Sequence, residues 1–576
     1  MATGQKLNGY KLPTKPEERG GKLAQGFITP RQDKMPQVHS VPPKRVVPII
    51  FIPGIMGSNL RMSSDRQARL GKKNNIAWRP DNILETIPMA DDSAAERQMR
   101  FDPNNTELDT YDPNGNSPGN IYEAADLRNQ SAHFSSQYGG SWRRLDGPLL
   151  QSDRPGSPNA KTRDRKARER GWGEVFFGSY ETILSACEVR LNGAFSEKFK
   201  DPYLMSSIVN VSPSQWEANP TPPLDKIDEV SLRAAVKGCW FPVHAMGYNW
   251  LKGNKKSGIA TANRIKALIK NYQQQGYECE KVILITHSMG GLVARAVVHP
   301  DMGNIRDHVL GVIHGVMPAI GAGTAYKRMR CGFEGDDTAA KILGNLGSHV
   351  TPVLGNSQGG LELLPTQAYG NGWLQFVHEG KIVKALPQNG DPYEEIYKMS
   401  NKWYGLLRKE WLNPANLPGV SLKSSFELLD RAKAFHNQIE EFYHDQSYAH
   451  YGADPKGLAW HKVTWKIDGG FFVDDLESMS IANDDGRGGL RLEVLDDAPK
   501  KTAKTRELRS TLLPPIDPGD QTVPMYSADA QLRCGKFKGV FRQTGYEHQA
   551  SYSDEAVIAA TIYCLYKIIL TMKWPK

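Results

Sequence analysis

One unbroken run, "KVILITHSMGGLVARAVV" (residues 281–298), constrains the fold of this chain more than any other stretch. Val282 to Ile285 form an apolar run of the kind found in strands covered on both faces. No loop separates it from "MGGLVARAVVH", which reads as an apolar helix, so the chain must turn sharply at Ser288. Upstream, "SGIATANRIKALIKNYQQQGY" places Ile259, Ile265, Leu268 and Ile269 on one helical face. Ser257 is the expected cap of that helix and Gly276 its expected terminator. Downstream, "VLGVIHGV" reads as the next strand. Strand and helix alternating at short spacing predict an α/β class, a mostly parallel sheet wrapped by helices.

Other core segments follow from this frame. In "RVVPIIFIPGIMGSNL", Val46 to Ile52 reads as a buried parallel strand that Pro53-Gly54 ends. "AVKGCWFPVHAMGYNWL" is strand-like in its first half. "GKFKGVFRQTGYEHQ" reads as a strand and loop before a final helix, "AVIAATIYCLYKIIL", which is too short and too interrupted by Lys567 to span a bilayer. The expected organisation is an extended N-terminal arm (1–44), an α/β core (45–60), a first cap insertion (61–234), core (235–319), a second cap insertion (320–510) and core (511–576). The first insertion holds turn-like "NNTELDTYDPNGNSPGN" and a helix in "WGEVFFGSYETILSACEVRL". The second holds helices in "PYEEIYKMSNKWYGLLRKEWL" and "SFELLDRAKAFHNQIEEFYHDQ". In the former, Ile396, Met399, Trp403 and Leu406/Leu407 are spaced as an amphipathic stripe. That stripe, with Tyr397, Tyr404 and Trp411, either packs inside the cap or presents a lipid-facing surface.

A serine at such a strand-to-helix turn has its hydroxyl raised above the sheet edge. The helix N-terminus adds positive potential where an oxyanion would form. Small residues are required two before and two after it, here Thr286 and Gly290. The plainer alternative is an ordinary turn with a serine cap. A serine nucleophile needs an acid and then a histidine later in the chain. "IDPGDQTVPMYSA" offers Asp520, with Asp517 as alternative, and "TGYEHQASYSD" offers His548. His444, His450 and His461 also follow Ser288, but only His548 stands between a last strand and a last helix. The expected catalytic set is Ser288, Asp520 and His548, with His548 as base and Asp520 as its orienting partner. The expected oxyanion donors are the amides of Ile55, in the loop after the first strand, and Met289. This chemistry calls for no metal and no cofactor. "DGGFFVDDLE" and "NDDGRGG" are acidic turns without the spacing of a calcium-binding loop.

The segments "IIFIPGIMGSNL", "HAMGYNWL", "ITHSMGGLVAR" and "GDQTVP", with a late histidine, resemble the α/β-hydrolase branch that includes lecithin:cholesterol acyltransferase, lysosomal phospholipase A and the GPI inositol-deacylases. This chain has Asn249, Gln521 and Thr286 where that branch carries Asp, Gly and Gly. With its two large insertions it more closely resembles the bacterial type VI secretion lipase effectors, the fourth phospholipase family among them. The resemblance implies an α/β-hydrolase fold and an acyl-enzyme lipase or phospholipase acting on the membrane phospholipids of rival cells. It also implies a cognate immunity protein and delivery by the type VI secretion apparatus. Such a protein is made in the bacterial cytoplasm, leaves without a signal peptide and acts in the periplasm of the target.

Composition bears on these expectations at three points. "MATGQKLNGYKLPTKPEERG" has no apolar segment of the secretory kind. The formal net charge of +9 is compatible with anionic surfaces, but the densest basic run, "KTRDRKARER", contains acids and no aromatic residue, and no nucleic-acid partner is expected. The six cysteines are widely spaced with no CxxC pair, which argues against zinc and leaves room for at most an occasional disulfide. A soluble carboxylesterase, thioesterase or amide hydrolase on the same fold is the alternative activity, and a non-enzymatic binding protein the third.

Overall fold

Six parallel strands form the centre of the molecule: β1 (Ile49–Ile52), β2 (Val243–Ala245), β3 (Val282–His287), β4 (Val309–Gly315), β5 (Ser447–Gly452) and β6 (Gly539–Gln543). Their order across the sheet is β2-β1-β3-β4-β5-β6. The structure is a computed structural model, and it describes residues 14–16, 22–26, 37–41, 43–111, 149–156, 159–193, 208–216, 218–470, 473–495 and 505–574. Most of the N-terminal arm and the later part of the turn-rich stretch after Asn104 lie outside the described residues. The described parts of the arm are three short strands paired antiparallel.

Alternation along the strands explains why β1 is apolar at every position and β3 from Val282 to Ile285. Ile50, Ile52, Val282 and Leu284 enter one core, with α2 (Asn254–Gln274) and α3 (Gly290–Val298) packed over it. Ile49, Phe51, Ile283 and Ile285 enter the other, under α1 (Phe177–Gly193) and α6 (Glu555–Ile569). A strand covered on both faces must be apolar on both. All nine residues of α3 are buried, and each large aliphatic side chain among them contributes about 2 kcal/mol. The C-terminal helix α6 is buried from Val557 to Ile569 except at Lys567, and among the described residues no helix is long and apolar enough to cross a membrane.

Several expectations need correction. The start of α2 is at Asn254, with Gly253 as its cap residue, and Ser257 lies buried inside the first turn. The Glu362 carboxylate accepts the Asn254 N–H at 2.7 Å, so an acid from another segment does the capping expected of Ser257. Gly276 does end the helix region in a left-handed conformation, φ +87°. The stretch 392–412 is not one helix. A π turn at Tyr393–Tyr397 and a short helix at Lys409–Leu412 are joined by turns. Ile396, Tyr397, Trp403, Tyr404, Leu406 and Leu407 are all buried, so the stripe packs within the cap. All six cysteines are free.

The boundaries of the insertions also differ from expectation. Helix α1, within 61–234, packs directly on the central sheet. Within 320–510, β5 is a strand of the central sheet, between β4 and β6. The rest of that segment includes α4 (Gly323–Cys331), α5 (Leu422–Ile439) and a second six-stranded sheet built from residues 374–386, 463–468, 480–495 and 505–512.

Candidate active site

Ser288 stands between β3 and α3 with φ +51°, a conformation that non-glycine residues adopt only when the surroundings impose it. Its own N–H donates to the Gly315 carbonyl at the end of β4, 2.8 Å away. The crowding expected around it is present. A Cβ on Gly290 would lie 2.4 Å from the Ile52 carbonyl oxygen and 2.5 Å from that of Pro53. Thr286 is accommodated at this turn with its side chain wholly buried and its hydroxyl facing the Ile313 carbonyl on β4. The Thr286 carbonyl accepts the Tyr552 hydroxyl at 2.8 Å.

Asp520 and His548 come together as expected. His548 Nδ1 donates to Asp520 Oδ2 at 2.8 Å, and the His548 N–H donates to the Asp520 carbonyl at 3.0 Å. The other carboxylate oxygen accepts the amides of Val523 (2.7 Å) and Thr522 (3.2 Å). With Nδ1 committed, Nε2 is the ring nitrogen left to work. Ser288 and His548 line one cavity of about 460 Å³. Its wall is mainly apolar, with Trp78 and Phe176 from the first insertion and Met329, Phe333, Leu343 and Leu354 from the second.

The alternatives are occupied elsewhere. Asp517 lies 3.8 Å from His461, which stacks on Tyr526. His450 Nε2 contacts the Tyr552 hydroxyl at 3.1 Å, and His444 Nδ1 accepts the Gln446 amide. Ile55 lines the cavity and Met289 begins the turn into α3. Among the described residues, the amides of Ile55 and Met289 have no protein acceptor. Asn249 does not face the cavity. It is buried, donating to the Thr106 carbonyl and accepting the Leu251 amide. Gln521 takes φ +69°, a backbone conformation that glycine would adopt without strain.

One group of residues here was not foreseen. His287 Nε2 faces the carbonyl oxygen of His548 at 3.0 Å. A carbonyl only accepts, so Nε2 carries the proton and Nδ1 is an acceptor. The Tyr180 hydroxyl, 3.1 Å from Nδ1, therefore donates to it, and in turn lies 3.4 Å from the Gly54 N–H. This chain joins the loop after β1, helix α1, the strand bearing Ser288 and the His548 loop. Burial, then the neighbouring His548, pushes His287 down to about 3, so its ring is neutral. The position of His287 directly before Ser288 was the only signal in the sequence.

Residues 260–323 match the PGAP1-like alpha/beta domain family. Curated proteins yield no match. Among solved structures, the chain is similar to a chain of the crystal structure of the Tle4-Tli4 complex, at 30% identity and a TM-score of 0.72, covering 92% of this chain and 99% of that one. Likeness of that extent goes beyond a shared fold. The chain belongs to the Tle4 family of type VI secretion lipase effectors, serine hydrolases of the lipase and phospholipase kind.

Proposed function

We propose that Ser288, His548 and Asp520 are the catalytic residues of a phospholipase that cleaves acyl esters of membrane lipids in rival cells. His548 Nε2 removes the Ser288 proton as Oγ attacks the ester carbonyl. Asp520 holds the imidazole with Nδ1 protonated and balances its positive form. The amides of Ile55 and Met289 receive the developing oxyanion. Collapse of the adduct expels the lipid alcohol, which takes the proton from His548. Water then enters by the same route and releases the fatty acid, restoring Ser288. No metal or cofactor enters these steps.

The single observation that carries this reading is the 2.8 Å hydrogen bond between Asp520 and His548, which lines the same cavity as Ser288. The apolar wall of that cavity favours a long acyl chain over a small soluble ester. By its family, the protein would be injected by the type VI secretion apparatus and act in the target periplasm. The partner seen with its relative in the Tle4-Tli4 complex supports a cognate immunity protein for this chain as well. The test is mass spectrometry of phospholipid vesicles treated with wild type and Ser288→Ala. Wild type should release fatty acid and lysolipid. Hydrolysis at wild-type rate by Ser288→Ala would refute the assignment.

A further inference from the structure

The cavity wall carries one cation, Arg328, and one carboxylate, Glu547, among the residues that line it. Glu547 is engaged with its own loop, its Oε2 accepting the amides of Gln549 and Ala550. Arg328 projects from α4 toward the loop that bears Asp520. Its Nη2 donates to Thr522 Oγ1 at 3.2 Å, and the Thr522 amide in turn donates to Asp520. The guanidinium thus sits only two hydrogen-bonded links from the carboxylate that orients His548.

Arg328 is not fully committed to protein. Nε donates to Glu334 at 3.0 Å, and Nη2 lies 2.9 Å from the same carboxylate. Lys327 Nζ is also 2.9 Å from Glu334, so two cations share one acid. Although burial raises it, Glu334 is held at about 2 by Arg328 and Lys327. The guanidinium is packed on the Phe333 ring, whose residue is part of the cavity wall. Among the described residues, Nη1 has no acceptor. An arginine held by Glu334, Thr522 and the Phe333 ring, with Nη1 unbonded and the residue lining a largely apolar cavity, is a preorganised donor for an anionic oxygen.

We propose that Arg328 binds the phosphate of a phospholipid while Ser288 attacks its acyl ester, and so sets a preference for phosphate-bearing lipids over neutral esters. This rests on the catalytic reading above. A second role is open to the same contacts: a strut that positions the acid loop through Thr522. The two roles separate in the choice of substrate. A phosphate ligand affects only lipids that carry one, whereas a strut affects every ester.

The test uses the full chain with R328Q and R328K. Each is assayed on dioleoylphosphatidylethanolamine in mixed micelles and on p-nitrophenyl decanoate. Loss of a charge-assisted contact should lower kcat/KM on the phospholipid about tenfold or more in R328Q, with the p-nitrophenyl ester within about twofold. R328K, which keeps the charge but not the planar guanidinium that Glu334 and Thr522 hold in place, should fall between. An equal loss on both substrates, or an unchanged ratio, overturns the proposal. If R328Q does not fold, the ratio in R328K decides by the same criterion. Ser288→Ala is run alongside. Activity surviving in it removes the catalytic reading, while the substrate ratio in the arginine variants still reports on Arg328.

Discussion

His548 is bound to Asp520 twice, ring to carboxylate at 2.8 Å and backbone N–H to backbone carbonyl at 3.0 Å. The second bond fixes the loop before the side chains meet, so the geometry does not depend on the carboxylate alone.

It follows that Asp520→Asn should leave the loop in place while removing the charge and favouring the wrong tautomer. A fall in kcat of about 10³- to 10⁴-fold is expected, with little change in melting temperature. Asp517→Asn, whose partner is His461, should stay within a few-fold of wild type. Comparable losses in the two variants would put the acid elsewhere.

The close approach of the β1 loop makes Gly54 a second point of attack. A Cβ there would stand 2.8 Å from His287 Nδ1 and 3.0 Å from Ser288 Cβ. Gly54→Ala should therefore cost at least tenfold in kcat while the protein still folds, because the His287 ring has to shift. Gly290→Ala meets backbone oxygens instead and should destabilise the fold by about 3 kcal/mol or more. Urea unfolding beside an esterase assay distinguishes these outcomes.

Gln521 offers a change in the other direction. A left-handed non-glycine residue costs about 1–2 kcal/mol, and glycine gives back part of the gain as extra freedom of the unfolded chain. Gln521→Gly should raise stability by about 0.5–1 kcal/mol without altering activity. A lowered urea midpoint would show that the Gln521 side chain contributes more than its backbone strain costs.

Acid should unfold this protein early. Burial pushes His287, His314 and His450 down to about 3 and His436 to about 4. Each is lower in the folded state than the ordinary 6.5, so the unfolded chain takes up protons first as pH falls. Their neutral-state stability is complete above about 6.5 and drains away toward pH 3–4, at about 1.4 kcal/mol per unit of pKa difference for each histidine. Replacing His287 with Asn should flatten the acid limb of a stability-against-pH curve. A limb as steep as wild type would assign the acid sensitivity to other groups.

The parts of this fold that sequence made legible share a physical trait. The run from Val282 through Ser288 to Val298 is buried throughout and mostly apolar because both faces are covered, and its small residues mark the turn. Asp520 and His548 could be singled out as candidates because a serine nucleophile calls for an acid and then a histidine later in the chain, and the two are hydrogen-bonded. Strand β5 was missed because hydropathy does not register satisfied polar groups. Ser447 and His450 are buried in it, the Ser447 hydroxyl donating to the His444 carbonyl and His450 Nε2 meeting the Tyr552 hydroxyl. The spacing of Ile396, Trp403 and Leu407 correctly marked burial but not a helix, since a π turn and successive tight turns deliver the same side chains inward. Tyr180 and Arg328 reach the site from helices far away in sequence, and no local pattern marks such an approach.

Because β5 returns to the central sheet partway through the second insertion, the cap is sewn into the sheet rather than hung from it. Its two parts are tied to strands that neighbour each other at β4 and β5, so the cap and the sheet share hydrogen bonds formed between residues more than a hundred positions apart. Such long-range closure slows folding and couples the parts. Cap and sheet should melt in one cooperative transition, and cutting out residues 320–510 as a lid would remove β5 from between β4 and β6 in the central sheet.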